Sequence, residues 1–553
     1  MTRGAARFST EYAERILAEF AVAGRTLGAD QAAALRGVLT SGAQVEVLSA
    51  APGTGKSFVV GTLADVWSQV EGRRVFGLTP SQVAAGVLAR EGVTAAANTT
   101  AWLGAQRRLD TPHTAGGVPG ALGDERWRLR RDDLVVVDEA NMAATDHLAQ
   151  IQQRCAAAGA KLLLVGDPRQ LGAVGPGGAL ADIAEHGIRY ELAEVRRFTN
   201  AWERGASLRL RDADPEVLGD YAKHGRLHDG GTLEQAEAAA ARSWLADTVS
   251  GRESLLLVRD NAAAARVSAA LRAELVALGH VTEHGVALGM TEWEGVVAGV
   301  GDLVQARRNG RELLGFEANT TFPVNRETYR VTGLRPDGGL TVAPIIGRGE
   351  RGEVLGAPLA LPASYVGEDL ALGYASTVHA AEGRTVDTSH AVLGPGADLP
   401  GVLVSLTRGR ECNSAWVVTQ AVPLDAAAGE ALTSERRTAR AVLADIVETA
   451  RTERTALAEQ EQADLETRST MTHVDQLIDV LDRKVTAGRT AAILDRHAAH
   501  GTISPIDRER LAADEAFGSL ERLLRTAELS GHNPDTVLAG AILRGRALDD
   551  ARS

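Results

Sequence analysis

The decapeptide SAAPGTGKSF, Ser49 to Phe58, constrains this chain more than any other stretch. A short apolar, β-branched run from Val45 precedes it, and the run that follows, as far as Trp67, spaces its apolar residues as a helix does. A strand, a glycine turn and a helix are the context in which the pattern A/G-x-x-x-x-G-K-S forms a phosphate-binding loop. Ala50 stands in the first position, where glycine is the stricter requirement. The alternative, a glycine-rich turn with an incidental lysine, is disfavoured by both flanks.

The residue types in this loop suit the phosphates of a nucleoside triphosphate. Glycines let the backbone curl so that successive N–H groups point at phosphate oxygens, and the start of the helix adds a partial positive charge. Lys56 would reach the β- and γ-phosphates, and the Ser57 hydroxyl would ligate Mg²⁺. The predicted nucleotide-binding residues of the loop are Pro52, Gly53, Thr54, Gly55, Lys56 and Ser57.

Two further apolar runs end in residues that suit phosphate hydrolysis. The predicted strand Leu134 to Val137 delivers Asp138 and Glu139 side by side. Asp138 would hold the Mg²⁺ through water, and Glu139 would orient and activate the attacking water. The later run AKLLLVGDPRQL contains Gln170, which is placed to touch both the γ-phosphate and a neighbouring domain.

One glutamine and two turns give weaker signals. The Gln31 amide could both donate to and accept from an adenine edge and so select ATP, although an exposed helical glutamine is the simpler interpretation. Turns that follow parallel strands lie at the edge of the sheet where ligands bind, and their hydroxyls suit a phosphodiester backbone. Each of these turns, taken singly, is more often only a turn. The residues concerned are Thr79, Pro80, Thr99 and Thr100.

The composition limits the class of protein. No stretch approaches the roughly eighteen consecutive apolar residues of a membrane span. Cys155 and Cys412 fit neither a metal spacing nor a disulfide framework, which favours a cytoplasmic location. The formal net charge of −13 predicts that any nucleic acid is bound in a local groove and not through the overall field of the protein.

Six segments in a fixed order carry a family resemblance: GTGKS, VVVDEAN, VGDPRQL, ELAEVRRF, YASTVHAAEGRTVD and LVSLTRGR. From about Phe8 to Gln420 the chain resembles a superfamily 1 DNA helicase of the 5′-to-3′ branch. Within that branch it is most similar to RecD and to the helicase part of conjugative relaxases of the TraI and TrwC type. The resemblance implies an α/β fold of two RecA-like P-loop lobes with parallel sheets, and it implies ATP and Mg²⁺ as cofactors.

The resemblance also assigns roles to residues that follow the phosphate loop. Arg197 matches an arginine that reaches the γ-phosphate, and Arg408 matches a second phosphate-sensing arginine that the other lobe delivers. Such an arginine completes the charged pocket only when the lobes close, so hydrolysis would be tied to lobe motion. Thr377 and His379 match residues at the DNA-facing end of the second lobe.

One segment departs from the family pattern at a predicted nucleotide-binding position. Gly383 would let the backbone approach a phosphate, but Glu382 stands where the family usually has glutamine. A carboxylate adds negative charge near the phosphates, so we expect less efficient coupling between hydrolysis and DNA.

The distribution of predicted elements divides the chain into four parts. Residues 1–250 would form an N-terminal helix and the first lobe, with a small Gly-, Pro- and Arg-rich insertion at about 104–133. The second lobe would be split into residues 251–300 and 363–425. Residues 301–362 alternate short strands with Gly and Asn turns, which predicts a small SH3-like β-barrel. Residues 426–553 would form a C-terminal helical region, either a docking appendage or a bundle that covers the core.

The predicted insertion and one tryptophan are candidates for further DNA contacts. In the β insertion, Arg307, Arg308, Asn309 and Arg311 would contact the DNA backbone, although a solvated hairpin tip explains the charges equally well. Trp102 is a candidate for stacking on a base and equally a candidate for the core.

Together the motifs and the resemblance predict an ATP-dependent motor that moves 5′ to 3′ along single-stranded DNA and opens forked duplex DNA. The polarity rests on the resemblance alone. Conjugative relaxases of the resembling family carry a separate nicking domain with a catalytic tyrosine and a cluster of metal-binding histidines. This sequence has no His-x-His pair, and only Tyr12 precedes the phosphate-binding loop. We therefore expect the motor part of a conjugative relaxase without its nicking domain, with a relaxase or the transfer machinery as partner. The alternatives are a nucleotide-switched interaction module that does not unwind DNA, and a RecD-like repair helicase.

Overall fold

A computed structural model describes residues 4–110, 121–173, 176–289, 295–349, 352–420, 437–450, 455–514 and 516–550. Its residues group into two compact units, 1–455 and 456–553. The first unit contains two parallel sheets, which confirms the predicted α/β fold of two RecA-like lobes. Within the described parts of the chain, no helix combines the length and apolar character that crossing a membrane requires.

The first lobe is built on a six-stranded parallel sheet with the strand order β3-β2-β4-β5-β1-β6. Its central strands are continuous apolar runs because helices cover both faces of the sheet, and every residue of β4 is buried. Because the strands are parallel, their carboxyl ends lie at one edge of the sheet, and the phosphate-binding loop and the Asp138–Glu139 pair follow strands at that edge. The elements of this lobe are α1 (Thr10–Val22), α2 (Ala29–Thr40), β1 (Val45–Ala50), α3 (Lys56–Ser68), β2 (Val75–Thr79), α4 (Gln82–Arg90), β3 (Ala95–Asn98), α5 (Thr99–Asp110), α6 (Ala121–Asp124), β4 (Leu134–Val137), α7 (Thr145–Ala158), β5 (Lys161–Gly166), α8 (Ala179–His186) and β6 (Ile188–Leu192).

The insertion predicted at about 104–133 is only partly described. Residues 104–110 continue α5, and Trp127 packs against Phe76 of β2 with ring centroids 6.0 Å apart. The middle of the predicted insertion, residues 111–120, lies outside the described residues.

The second lobe begins earlier in the chain than the boundary predicted at residue 250. Strand β7 pairs in parallel with β19, and Leu210 and Tyr221 share a core with Leu257 and Val402. The residues that lead into the second sheet therefore belong to this lobe, whose strand order is β17-β8-β18-β19-β7. The elements up to its split are α9 (Ala201–Arg211), α10 (Leu218–Lys223), β7 (Leu227–Gly231), α11 (Leu233–Val249), β8 (Ser254–Val258) and α12 (Asn261–Ala277).

The insertion that splits the second lobe is an antiparallel sheet with the order β14-β13-β12-β11-β16, with β15 paired to β13. Val304 and Tyr329 share one core with Leu256 and Leu271 of the lobe. The sheet extends to β16, beyond the end predicted at residue 362. The SH3-like barrel stays a prediction. The elements are β9 (Gly285–Ala287), β10 (Val297–Gly299), β11 (Leu303–Ala306), β12 (Thr328–Leu334), β13 (Leu340–Gly349), β14 (Gly352–Leu355), β15 (Leu359–Leu361), α13 (Ala363–Asp369) and β16 (Leu370–Leu372).

The chain then returns to the second sheet and ends in helices. Asp398 caps the start of α14, because its carboxylate accepts from the Gly401 N–H at 2.8 Å. Helix α15 falls in the region predicted as a separate helical part, but Val442 and Leu443 pack into the core of the second lobe. The elements are β17 (Ala375–Thr377), β18 (Val386–Leu393), α14 (Leu399–Ser405), β19 (Gly409–Val418) and α15 (Ala439–Glu448) in the first unit, and α16 (Ala456–Arg468), α17 (Thr470–Ala499), α18 (Pro505–Ala513), α19 (Phe517–Leu529) and α20 (Pro534–Asp550) in the second.

Candidate active site

The phosphate-binding loop connects β1 to α3 and has the backbone that the motif requires. Gly53 and Gly55 have φ values of 79° and 82°, in the left-handed region that glycine tolerates best. A Cβ added at Gly53 would lie 2.4 Å from the Arg197 Cβ, so close approach also requires glycine there. The Thr54 hydroxyl donates to the Ala51 carbonyl at 2.9 Å and braces the turn.

Gln31 is buried against this loop and is not an exposed helical residue. Its amide nitrogen donates to the Thr54 carbonyl at 2.9 Å, and its amide oxygen accepts from the Gly28 N–H at 3.0 Å. The side chain therefore supports the phosphate loop directly. The contact with adenine stays a prediction.

Lys56 lies between the two carboxylates that follow β4. Its ammonium group is 2.9 Å from Asp138 Oδ1 and 2.6 Å from Glu139 Oε1. Burial lowers the pKa of Lys56, but the two negative charges more than offset this and raise it above its ordinary value. Lys56 and the two carboxylates predicted from the sequence are thus in direct contact, and Lys56 is held in its charged form.

The two carboxylates differ in electrostatic environment. Burial raises the pKa of the Asp138 carboxyl, and the attraction of Lys56 does not fully offset it. Burial alone would also raise the pKa of Glu139. The positive charges of Lys56, Arg408 and Arg197 outweigh that effect and hold the pKa of Glu139 below its ordinary value. Glu139 therefore remains an anion that can accept a hydrogen bond from water.

The backbone at Glu139 is strained. Its φ of 52° and ψ of 42° place a residue with a side chain in the left-handed region, which costs about 1–3 kcal/mol. The conformation turns the chain sharply at the end of β4 and directs the carboxylate to Lys56. Such strain concentrates at functional sites.

Sequence analysis missed Glu91, which lies at the end of α4. Its carboxylate lies near the Ser57 hydroxyl: burial raises the pKa of the carboxyl, and the interaction with Ser57 opposes the rise. Its backbone can come this close only because α3 has a glycine opposite: a Cβ at Gly61 would lie 2.1 Å from the Glu91 carbonyl oxygen. Gly61, a glycine inside a predicted helix, was the one sequence feature that could have indicated a close contact with this helix.

The oxygen donors around Ser57 fit a magnesium ion. A hydroxyl and the Asp138 carboxylate are the hard ligands that Mg²⁺ prefers, and Mg²⁺ normally takes one or two carboxylates together with substrate phosphates. Among the described residues no preassembled group of three metal-binding side chains occurs.

The two predicted arginines meet in this pocket from different lobes. Arg197 follows β6, and its guanidinium donates to the Thr407 carbonyl, next to Arg408. Burial lowers the pKa of Arg197 to about 9, and the like charge of Arg408 contributes to the decrease. Arg408 is 3.8 Å from the Glu382 carboxylate. The predicted convergence of both arginines on the site of Glu139 is present in the folded chain.

Gln170 lies at the boundary of the two lobes. Its amide donates to Asp167 at 3.2 Å, and Asp167 is held by Arg211. Gln170 also lines a cavity of about 560 Å³ together with His379 and Pro400 of the second lobe. Its predicted position between the lobes is therefore supported, and its contact with the γ-phosphate stays a prediction.

The predicted DNA-contacting residues of the first lobe are mostly buried. Trp102 has no exposed surface and packs in the core with Phe76 and Val137, so it cannot stack on a base in this conformation. Thr79 and Thr99 are also buried. The Thr79 hydroxyl is used locally, since it donates to the Ser81 carbonyl at 2.6 Å. Pro80 is half-buried, and Thr100 is the exposed member of the set.

The second lobe presents a more accessible set. His379 and Gly383 are exposed, and Thr377 is half-buried at the end of β17. Arg326 of the β insertion, which sequence analysis did not identify, donates to the His379 carbonyl at 3.3 Å. Arg326 has a φ of 72°, so the turn that carries it is held in an uncommon conformation.

The three arginines predicted to reach DNA from the insertion are engaged within the protein. Arg308 pairs with Asp369 at 2.8 Å, Arg307 donates to Asn261 at 2.7 Å, and Arg311 lies 5.9 Å from the ring centroid of Phe322. All three side chains thus have partners within the protein, and their contact with the DNA backbone stays a prediction.

Two RecA-like lobes that share one phosphate-binding pocket define a two-lobed P-loop protein. Residues 26–232 match the family model of the AAA domain. The probable conjugal transfer protein TraA of Sinorhizobium fredii is 26% identical over 380 residues, which cover 65% of this chain and 30% of that protein. The RecBCD enzyme subunit RecD of Mycobacterium tuberculosis is 32% identical over 197 residues, or 34% of this chain and 32% of that protein.

A solved structure, that of the Pif1 helicase from Candida albicans, is similar with a TM-score of 0.45 and 14% identity, over 71% of this chain and 94% of that one. The chain spans about a third of the length of the curated relatives it matches. The sequence comparisons confirm the resemblance of the chain to RecD and to proteins of conjugal transfer.

Proposed function

We propose that this chain is an ATP-dependent DNA helicase that moves 5′ to 3′ on single-stranded DNA. The observation that carries the proposal is the shared pocket: Lys56 and Glu139 from the first lobe meet Arg408 from the second. Charges from both lobes around one phosphate site make hydrolysis depend on the distance between the lobes. That dependence is the physical requirement for converting hydrolysis into movement along a strand.

The pocket residues divide the work of hydrolysis. When ATP enters, Lys56 leaves its carboxylate partners for the β- and γ-phosphates, which frees the Glu139 carboxylate to orient a water molecule in line with the γ-phosphate. Arg197 and Arg408 stabilise the negative charge that builds up on the transferred group. Ser57 and Asp138 would hold Mg²⁺, which neutralises phosphate charge when bound.

DNA would cross the exposed rim of the two lobes. Thr100 on the first lobe and Thr377, His379 and Gly383 on the second are the accessible predicted contacts, and Arg326 adds a positive charge beside His379. Contacts of this kind bind the backbone and do not select a base sequence. The name of the TraA relative supports conjugative transfer as the setting, with a relaxase or the transfer machinery as partner.

Strand-release assays on forked duplexes test this proposal. We expect ATP-dependent release from a fork with a 5′ single-stranded tail and much slower release from one with a 3′ tail. The Lys56→Ala variant should release neither. ATP hydrolysis that DNA stimulates without strand release would instead support the nucleotide-switched module or a pure translocase. Preference for the 3′ tail would contradict the proposed polarity.

A further inference from the structure

Glu382 introduces a third carboxylate into the shared pocket. The side chains of Arg408 and Glu382 are only 3% and 5% exposed, and their closest approach, from Arg408 Nη1 to Glu382 Oε1, is 3.8 Å. A buried guanidinium requires a compensating anion, since an unpaired buried charge is strongly unfavourable. Among the described residues, Glu382 is the carboxylate within ion-pair distance of Arg408, and Glu139 adds a second negative charge to the same pocket.

The pairing between these two residues is incomplete. A distance of 3.8 Å is longer than a hydrogen bond, and within the described residues the Glu382 Oε2 and Arg408 Nε atoms have no hydrogen-bond partner. The Nη1 and Nη2 groups of Arg408 donate to the Arg384 carbonyl and to the Thr407 hydroxyl, respectively. One donor of Arg408 is thus buried, unsatisfied and available to another anion.

Arg197 belongs to the same cluster. It is held to the carbonyl of Thr407, the residue before Arg408, and both Glu382 and Glu139 favour its charged form. Two adjacent guanidinium groups repel each other unless an anion lies between them or beside them. A terminal phosphate would fill this role with more oxygen acceptors than a carboxylate offers.

We propose that the Glu382 carboxylate is an internal anion that competes with the terminal phosphate of the nucleotide for Arg408 and Arg197. This inference rests on the proposed function. Binding of a triphosphate replaces the loose carboxylate contact with phosphate contacts, and departure of that phosphate returns the arginines to Glu382. Glu382 thereby weakens triphosphate binding, favours release after hydrolysis, and leaves diphosphate binding nearly unaffected because a diphosphate does not reach the arginines.

Nucleotide affinities of matched variants test this proposal. The dissociation constants of the magnesium complexes of ADP and of the non-hydrolysable triphosphate AMP-PNP are measured by calorimetry for the wild type and for Glu382→Gln. We expect Glu382→Gln to bind the triphosphate on the order of tenfold more tightly, which corresponds to about 1.4 kcal/mol, with ADP changed by less than about twofold. Phosphate release in a single turnover should also slow.

Glu411→Gln is the control, because it removes the same charge from the same lobe at a side chain that is 52% exposed. It should change neither affinity. Glu382→Asp keeps the charge on a shorter side chain and should tighten triphosphate binding by less than Glu382→Gln does. If the Glu382→Gln protein does not fold, Glu382→Asp takes its place in the comparison.

Equal tightening of both nucleotides, or unchanged affinities in both Glu382 variants, would overturn the proposal, because the carboxylate would then not compete with the terminal phosphate. A wild-type protein that binds neither nucleotide would contradict the proposed function itself, so the two failures can be told apart.

Discussion

The nucleotide pocket and the DNA-facing rim of the first lobe were predicted from the same kind of signal, polar residues after strands, yet they differ in outcome. In the pocket, the Lys56 ammonium group lies within hydrogen-bonding distance of the Asp138 and Glu139 carboxylates. On the rim, Trp102, Thr79 and Thr99 turn inward. Pocket residues must be at strand ends to meet at all, whereas rim residues depend on which face of the next turn or helix they occupy. Position along a strand is easier to predict than the direction of a side chain.

The sharpest test of the pocket is Arg408→Ala. We expect kcat for ATP hydrolysis to fall by about 10³–10⁵, because a phosphate-sensing arginine acts on charge that exists only in the transition state. Steady-state phosphate release measures the effect. Arg410→Ala is the control, since that side chain is half-exposed and its nearest partner is Asp387 at 3.4 Å. Similar losses in both variants would mean that the second lobe contributes to hydrolysis only through its overall charge.

Lys56→Ala tests the first-lobe half of the pocket. Loss of this preorganised charge should lower the hydrolysis rate by about 10²–10³ or more. The variant also leaves Asp138 and Glu139 without their shared cation, so the pKa of each carboxyl should rise. Circular dichroism establishes that the fold survives, and an active variant would refute the assignment of the phosphate loop.

Trp102→Ala tests whether this predicted DNA contact is instead a core residue. Because Trp102 is fully buried, we expect the free energy of unfolding to fall by about 3–5 kcal/mol. Denaturant unfolding measures this change. Trp102→Phe should cost less, since it retains most of the apolar volume. A stable Trp102→Ala protein with weakened DNA binding would restore the stacking role and remove the contrast with the pocket.

The smallest effect is expected at Arg326. If this side chain contacts the DNA backbone beside His379, Arg326→Ala should weaken single-stranded DNA binding equally for all sequences and reduce the slope of log affinity against log salt by about 0.7–1. Fluorescence anisotropy at several salt concentrations measures both. Arg311→Ala, at an arginine that packs on Phe322, is the matched control and should leave the slope unchanged.

Sequence reasoning succeeded where local pattern determines position. The run LVVVDE could only be a buried strand that ends in two carboxylates, and the glycines of the phosphate loop fixed the turn before α3. The two parallel sheets and the meeting of Arg197 with Arg408 were implied by the family resemblance.

The rest depended on contacts between distant parts of the chain. Strand β7 pairs with β19, and no local feature of Leu227–Gly231 indicates that partner. Trp102 is the fourth residue of α5, whose start at Thr99 decides that the ring points into the sheet. Glu91 reaches Ser57 only through the gap left by Gly61. For β7 and Glu91 the missing information was the packing of a neighbour far away in sequence, and for Trp102 it was the residue at which α5 begins.

The segment that joins the two lobes also touches the phosphate loop. The N–H groups of Arg196 and Arg197 both donate to the Gly53 carbonyl, at 2.7 and 3.1 Å, and two residues later the Thr199 N–H donates to the Arg410 carbonyl of the second lobe at 2.9 Å. So short a tether cannot stretch, so any separation of the lobes must either break one of these bonds or pull on the glycine turn that grips the nucleotide. The linker would then couple the two sites directly: a force that DNA exerts on the lobes would change the conformation of the phosphate-binding loop and so the affinity for the nucleotide.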